Sequence, residues 1–287
     1  MNSGKKEKKK SFKINPWLAG VLVVILVGVI AIEARDIYEE VHEREVAVKE
    51  YDDIASEAVS LNKDTDSETK EENVSIDEVT GVPELSIDYD LLLSINSDFV
   101  GWLYWDFDVD NDKYDFTLNY PVVKENYVNQ YLHVTFTGEN NSSGCVFLDV
   151  DSDESFMGYS DFLFGHNMRN GSMFGSLDNL YKIPDSTEIS DEPMYFYVYT
   201  KESVFKYVVY EFENTTNGND VVYAVIGNDE EYDSYVERLK KLNNYTCPID
   251  ISFEERPEIL NLSTCSGAQG TSKRFVVHGV KTDTFPK

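Results

Sequence analysis

Near the C-terminus an apolar run climbs into a cysteine, Asn261-Leu262-Ser263-Thr264-Cys265, and a β-branched run then opens on an arginine, Arg274-Phe275-Val276-Val277-His278. Between them lies a stretch of small and polar residues that starts at Ser266-Gly267-Ala268-Gln269-Gly270. The pattern reads as strand, nucleophile, loop, arginine, strand, with a thiol and a guanidinium at neighbouring strand ends. A free thiol is mostly protonated at neutral pH, so a nucleophilic cysteine needs a cationic neighbour. Arg274 offers a charge that it cannot lose. Acyl chemistry on a thiol also needs an imidazole, first as acid toward a leaving amine and then as base toward the incoming nucleophile. His166 is the candidate. It ends the run Asp161-Phe162-Leu163-Phe164-Gly165 and opens a Gly-rich turn. A lone histidine is more often a structural polar group, but strand-to-loop switches are where sites are commonly built.

The other cysteines offer rival constellations. The three cysteines, Cys145, Cys247 and Cys265, cannot all pair, so this is not a disulfide scaffold, and at least one thiol is free or intermolecular. A Cys145–Cys247 bridge stays open. Ser142-Ser143-Gly144-Cys145-Val146 is close to the Ser-x-Gly-Cys-Val-Arg site of L,D-transpeptidases, with Phe147 where the arginine belongs. Cys145 is expected as a strand residue facing the core. His278 follows Cys265, the order of papain-like enzymes, but is expected inside the last strand. Asp106-x-Asp108-x-Asp110-Asn111-Asp112 has the spacing of a calcium loop but lacks its glycine and its final acid, and reads as an acidic hairpin tip.

The elements that must position these groups follow from charge and periodicity. The chain has 287 residues and a net charge of −28. That charge argues against nucleic acid as a partner, because phosphate binding needs a basic surface. The lysine-rich residues 1–13 precede 19 uncharged residues, Ile14–Ile32. This is the length of a membrane-spanning helix. The lysines put the N-terminus in the cytoplasm and the rest outside. The expected organisation is a basic cytoplasmic tail (1–13), a transmembrane signal anchor (14–34), a juxtamembrane helix and acidic linker (35–84) and an extracellular catalytic domain (85–287). Within the linker, residues 60–80 are polar and acidic and read as flexible. Ser86 is the expected cap of a helix over 86–96. Strands are expected at 100–107, 116–123, 130–136, 145–148, 195–200 and 204–214, where aromatic and β-branched residues alternate. Residues 229–242 form an amphipathic helix with acids at its start and lysines at its end.

Taken together these motifs resemble the sortase family. Leu262-Ser263-Thr264-Cys265, with Arg274 nine positions on, is similar to the Thr-Leu-x-Thr-Cys signature and its arginine; Asn261 replaces the first threonine. Gly165-His166-Asn167-Met168 running into Met173-Phe174 resembles class B in particular. So do Ile95-Asn96-Ser97-Asp98-Phe99-Val100-Gly101-Trp102, Tyr120-Pro121-Val122-Val123 and Arg274-Phe-Val-Val-His278-Gly279. The resemblance implies a mainly β fold: an eight-stranded sortase-type barrel, N-terminal helices and an additional helix before the catalytic cysteine strand. It implies a membrane-anchored cysteine transpeptidase. Cys265 attacks the threonine carbonyl of a C-terminal sorting motif on a secreted protein, and an amine of peptidoglycan or its precursor resolves the thioacyl enzyme. His166, Cys265 and Arg274 are the implied catalytic residues. The Ser266 backbone N–H is an implied oxyanion donor and Ser263 an implied substrate contact. No cofactor or metal is called for. The alternatives are an L,D-transpeptidase-like cross-linking enzyme and a non-enzymatic membrane-tethered wall-binding domain.

Overall fold

A computed structural model describes residues 15–61, 74–108, 114–177, 179–182, 192–265 and 271–287. The chain divides into two units, Met1–Glu43 and Arg44–Lys287. In the first, helix α1 (Pro16–Ala58) begins. By length and composition, Trp17–Ala58 includes a segment apolar enough to cross a membrane.

The second unit is a closed barrel. Its elements are the end of α1, β1 (Val59–Leu61), β2 (Leu85–Ile87), α2 (Tyr89–Ile95), β3 (Phe99–Phe107), β4 (Phe116–Lys124), β5 (Val146–Leu148), β6 (Ser160–Phe164), α3 (Asn179–Lys182), β7 (Tyr195–Tyr199), β8 (Ser203–Thr216), α4 (Asp229–Leu239), β9 (Ile259–Cys265) and β10 (Lys273–Pro286). Eight strands close in the order β10-β8-β7-β3-β4-β5-β6-β9. Two neighbours, β4–β5 and β6–β9, run parallel. The large side chains buried in the core include Trp102, Trp105, Phe196, Phe212 and Phe275.

Strand β9 is covered on both faces, which sets the geometry of the site. Leu260 and Leu262 join the barrel core, while Ile259 packs with Tyr232, Tyr235, Val236 and Leu239 of α4. Burying each of these large side chains contributes about 1.5–3 kcal/mol before ordering costs. Helix α4 forms because Asn228 caps it, its side chain accepting from the Glu231 N–H at 3.0 Å, with acids filling the first turn.

Four local expectations change. Residues 130–136 form turns, not a strand. Gln130 Nε2 and Tyr131 Oη donate to Asp98 Oδ2 at 3.1 and 2.7 Å, so tertiary anchors override strand propensity. The helix after β2 is capped by Asp88 rather than Ser86, because Ser86 is held in the β1–β2 ladder. Helix α4 stops at Leu239 and not at residue 242. Of the segment read as flexible, 62–73 lies outside the described residues. Its end is ordered, with Ile76 bridging to Pro83 and Asp77 Oδ1 accepting from the Val79 and Thr80 N–H groups. The compact unit runs from Arg44 to Lys287, and Tyr51, Ile54 and Ala58 belong to its core.

Candidate active site

Cys265 is the last residue of β9 and is exposed; Cys145 is buried and Cys247 half-buried, and all three are free thiols. In the antiparallel β9–β10 ladder Cys265 faces Arg274 directly. Residues 266–270 of the intervening loop, including Ser266, lie outside the described residues.

His166 arrives from the other side. Strand β6 runs parallel to β9, with Phe164 opposite Ser263. Just beyond that pair the Gly165 N–H donates to the Ser263 carbonyl at 3.2 Å, and Thr264 Oγ1 donates to the Gly165 carbonyl at 2.8 Å. The Asn167 side-chain amide donates to the Cys265 carbonyl at 2.5 Å. The turn carrying His166 is thus fastened to the end of the cysteine strand on both sides of the imidazole. Cys265, Arg274 and His166 line one cleft of about 630 Å³. One wall follows the chain from Glu125 to Leu132, and the other includes Tyr223 to Ile226.

The imidazole is oriented as well as placed. His166 Nε2 lies 2.6 Å from the Leu132 carbonyl, which can only accept, so Nε2 carries the proton and Nδ1 is left to exchange one. The His133 ring stacks on it with centroids 5.6 Å apart. Burial pulls the His166 pKa below the ordinary histidine range. The charges of His133 and Arg274 act in the same direction, and the Leu132 carbonyl opposes them. A neutral ring whose Nδ1 has no hydrogen-bond partner among the described residues can take a proton and return it.

Ser263 is fully buried, and its hydroxyl lies 2.9 Å from the Tyr223 hydroxyl. Tyr223, His133 and the Leu132 carbonyl are site groups that sequence reasoning passed over. Leu132 and His133 fall in the segment misread as a strand, and Tyr223 sits in an unassigned apolar stretch, Val221–Ile226. His278 is fully buried away from the thiol, in contact with Asn261 and Glu213.

The rival thiol is walled in. The Tyr51 hydroxyl donates to the Gly144 carbonyl at 2.6 Å and contacts Cys145 Sγ at 3.4 Å. Burial pushes the Cys145 thiol up to about 12. Gly144 adopts φ +54°, and a Cβ there would stand 2.5 Å from two backbone carbonyls, so the Ser-Ser-Gly-Cys run is built as a tight turn.

Fold and site together bring an exposed thiol, a guanidinium and an imidazole to one cleft of a closed barrel. The sortase domain family model matches residues 114–282. The sortase B of Listeria monocytogenes is 28% identical over 199 residues, covering 66% of this chain and 71% of that protein. Sortase B from Bacillus anthracis, solved in complex with AAEK1, superposes with TM-score 0.61 at 23% identity, covering 84% of this chain and 99% of that one. A sortase B solved in complex with triglycine superposes with TM-score 0.55 at 23% identity, covering 68% of this chain and 85% of that one. The chain belongs to the sortase family of cysteine transpeptidases, and its relatives are of class B.

Proposed function

We propose that this protein cleaves a C-terminal sorting motif of secreted proteins after threonine and joins the new carboxyl end to an amine of peptidoglycan or its precursor. The observation that carries the reading is the convergence of Cys265, Arg274 and His166 on one cleft at adjoining strand ends. His166 takes the Cys265 thiol proton, and the thiolate adds to the threonine carbonyl carbon. Arg274, with the Ser266 N–H, stabilises the charge that grows on the carbonyl oxygen. The C–N bond breaks as His166, by then protonated, gives its proton to the leaving amine. An acceptor amine next attacks the thioester and loses a proton to His166, and the C–S bond breaks to regenerate the thiol. The triglycine complex of a sortase B relative supports an amine acceptor for this chain. The apolar N-terminal helix and the lysines before it support a membrane anchor that leaves the catalytic domain outside.

The test is a sorting-peptide library with triglycine and a diamino acid as acceptors, read by mass spectrometry with detergent-solubilised full-length protein. A thioester on Cys265 and a transpeptidation product, both lost in Cys265→Ala and retained in Cys145→Ala, are expected. Turnover that survives Cys265→Ala, or absence of a thioester with every peptide, overturns the reading.

A further inference from the structure

The mechanism uses one end of the cleft. The opposite end is walled by carboxylates: Glu125 follows β4, and Asp149, Asp151 and Asp153 lie on the loop between β5 and β6, all lining the same cleft. Surface acids alone mean little in a chain of net charge −28. Glu125 is different. It is only 2% exposed, and its Oε2 has no hydrogen-bond partner among the described residues. A buried carboxylate oxygen without a donor carries an uncompensated desolvation cost. Burial, and then the Asp149 charge, raise the Glu125 pKa against the opposing N–H groups of Val150, Gln130 and Asn129. Two lysines lie beside the acidic loop and act on Asp153, but among the described residues neither pairs with the Glu125, Asp149 or Asp151 carboxylate. Lys124 donates to the Asp149 main-chain carbonyl, and Lys281 donates to the Phe156 carbonyl at 2.8 Å and pairs with Glu258.

We propose that this end of the cleft is a subsite for a positively charged side chain of the peptide being cleaved, with Glu125, Asp149 and Asp151 as its recognition groups. The arriving ammonium or guanidinium supplies the donor that Glu125 Oε2 lacks, and the rim carboxylates attract it. For its peptide the proposal rests on the sortase reading above. The register sets where the charge must lie. The Asp149 N–H donates to the Phe162 carbonyl at 2.9 Å, and Phe162 of β6 pairs with Asn261, four residues before Cys265 in β9. At about 3.3 Å per residue this level of the cleft lies roughly 13 Å along the strand from the thiol, so an extended peptide reaches it about four or five residues from the cleaved bond. A buried polar pocket rejects an analogue that leaves it unpaired, and a charge-assisted pair of this kind discriminates by about tenfold or more.

The probes are synthetic peptides around a central threonine. One lysine is walked through positions three to eight on either flank, and norleucine replaces it as the uncharged control. Binding is measured by fluorescence polarisation to the full-length Cys265→Ala protein in detergent, so no turnover is needed. The expected result is a preference for lysine over norleucine of about tenfold or more at one position four to seven residues from the threonine. That preference falls to about twofold in Glu125→Gln and in the surface double variant Asp149→Asn/Asp151→Asn, and shrinks at high salt. Lysine and norleucine binding equally at every position overturns the proposal. So does a preference unchanged in the surface double variant, whatever becomes of folding in Glu125→Gln. Wild-type turnover of the lysine peptides is scored separately: if it is absent while the lysine preference in binding stands, the transpeptidase reading fails and the cation subsite survives.

Discussion

Glu213→Gln isolates one charge beneath the cysteine strand. Glu213 Oε1 pairs with Arg238 and lies 3.0 Å from His278 Nε2, and His278 Nδ1 lies 2.7 Å from Asn261 Oδ1. The Asn261 amide in turn donates to Ser160 Oγ and the Asp161 carbonyl, both at 2.9 Å. The chain of contacts therefore runs from α4 through β8 and β10 into β9 and β6. Removing one partner of a fully buried ion pair costs about 3–5 kcal/mol. The Arg238 side chain keeps 21% exposure and recovers some water, and glutamine keeps the shape and one acceptor. The expected loss is therefore about 2–3 kcal/mol. In a unit of this size each kcal/mol moves Tm by about 2–4 °C, so the variant melts roughly 4–12 °C below wild type at pH 7. The pH dependence has a definite sign. Burial raises the Glu213 pKa, but hydrogen bonds from His278 and Arg238 outweigh burial and hold it below the ordinary glutamate value. Such a group contributes stability above its unfolded pKa of about 4.5 and loses it as pH falls through the folded pKa. The gap between the two proteins is thus widest near neutrality and closes on acidification. Calorimetry of full-length protein in detergent between pH 7 and about pH 3 reads both features. A Tm within about 1 °C of wild type at pH 7, or a gap undiminished in acid, refutes the reasoning.

The remaining predictions concern the thiols and the barrel wall. Iodoacetamide at neutral pH modifies Cys265 first and leaves Cys145 untouched until denaturant is added, because Cys145 is 1% exposed and its thiol is pushed up to about 12; peptide mapping that finds Cys145 modified first contradicts this. Gly279→Ala destabilises by about 1–3 kcal/mol through overpacking, because its Cβ would stand 2.3 Å from the Phe196 ring inside the barrel. A chemical-denaturation midpoint equal to wild type contradicts that placement.

The parts of the site that lie near each other in sequence were the legible ones. An apolar run ending on Cys265 and a β-branched run starting at Arg274 can only be an antiparallel pair with the two residues near its turn, and the ladder sets them face to face. His166 was harder. Its place at a strand-to-loop switch made it a candidate, but it comes to the cleft of Cys265 through the parallel β6–β9 pairing, which periodicity does not encode. The 130–136 stretch was misread because its alternation satisfies strand propensity, whereas its polar groups are claimed by Asp98 and its Leu132 carbonyl by His166. Glu125 carried no signal, since its burial depends on where the chain after β4 turns along the cleft.

Strand β9 shows why its sequence is neither alternating nor uniformly apolar. Its inward residues, Leu260 and Leu262, anchor the strand in the barrel core. On the opposite face Asn261 is held by Asp161 and His278, Ser263 by Tyr223, and only Cys265 emerges. A strand gripped by apolar contacts alone can still shift in register or twist at its end, because such contacts are non-directional. Side-chain hydrogen bonds at alternate residues fix direction as well as depth. The buried polar residues along β9 thus hold the exposed thiol opposite Arg274 and beside the turn that carries His166, and the cost of burying them is met by complete pairing and not by exclusion from the core.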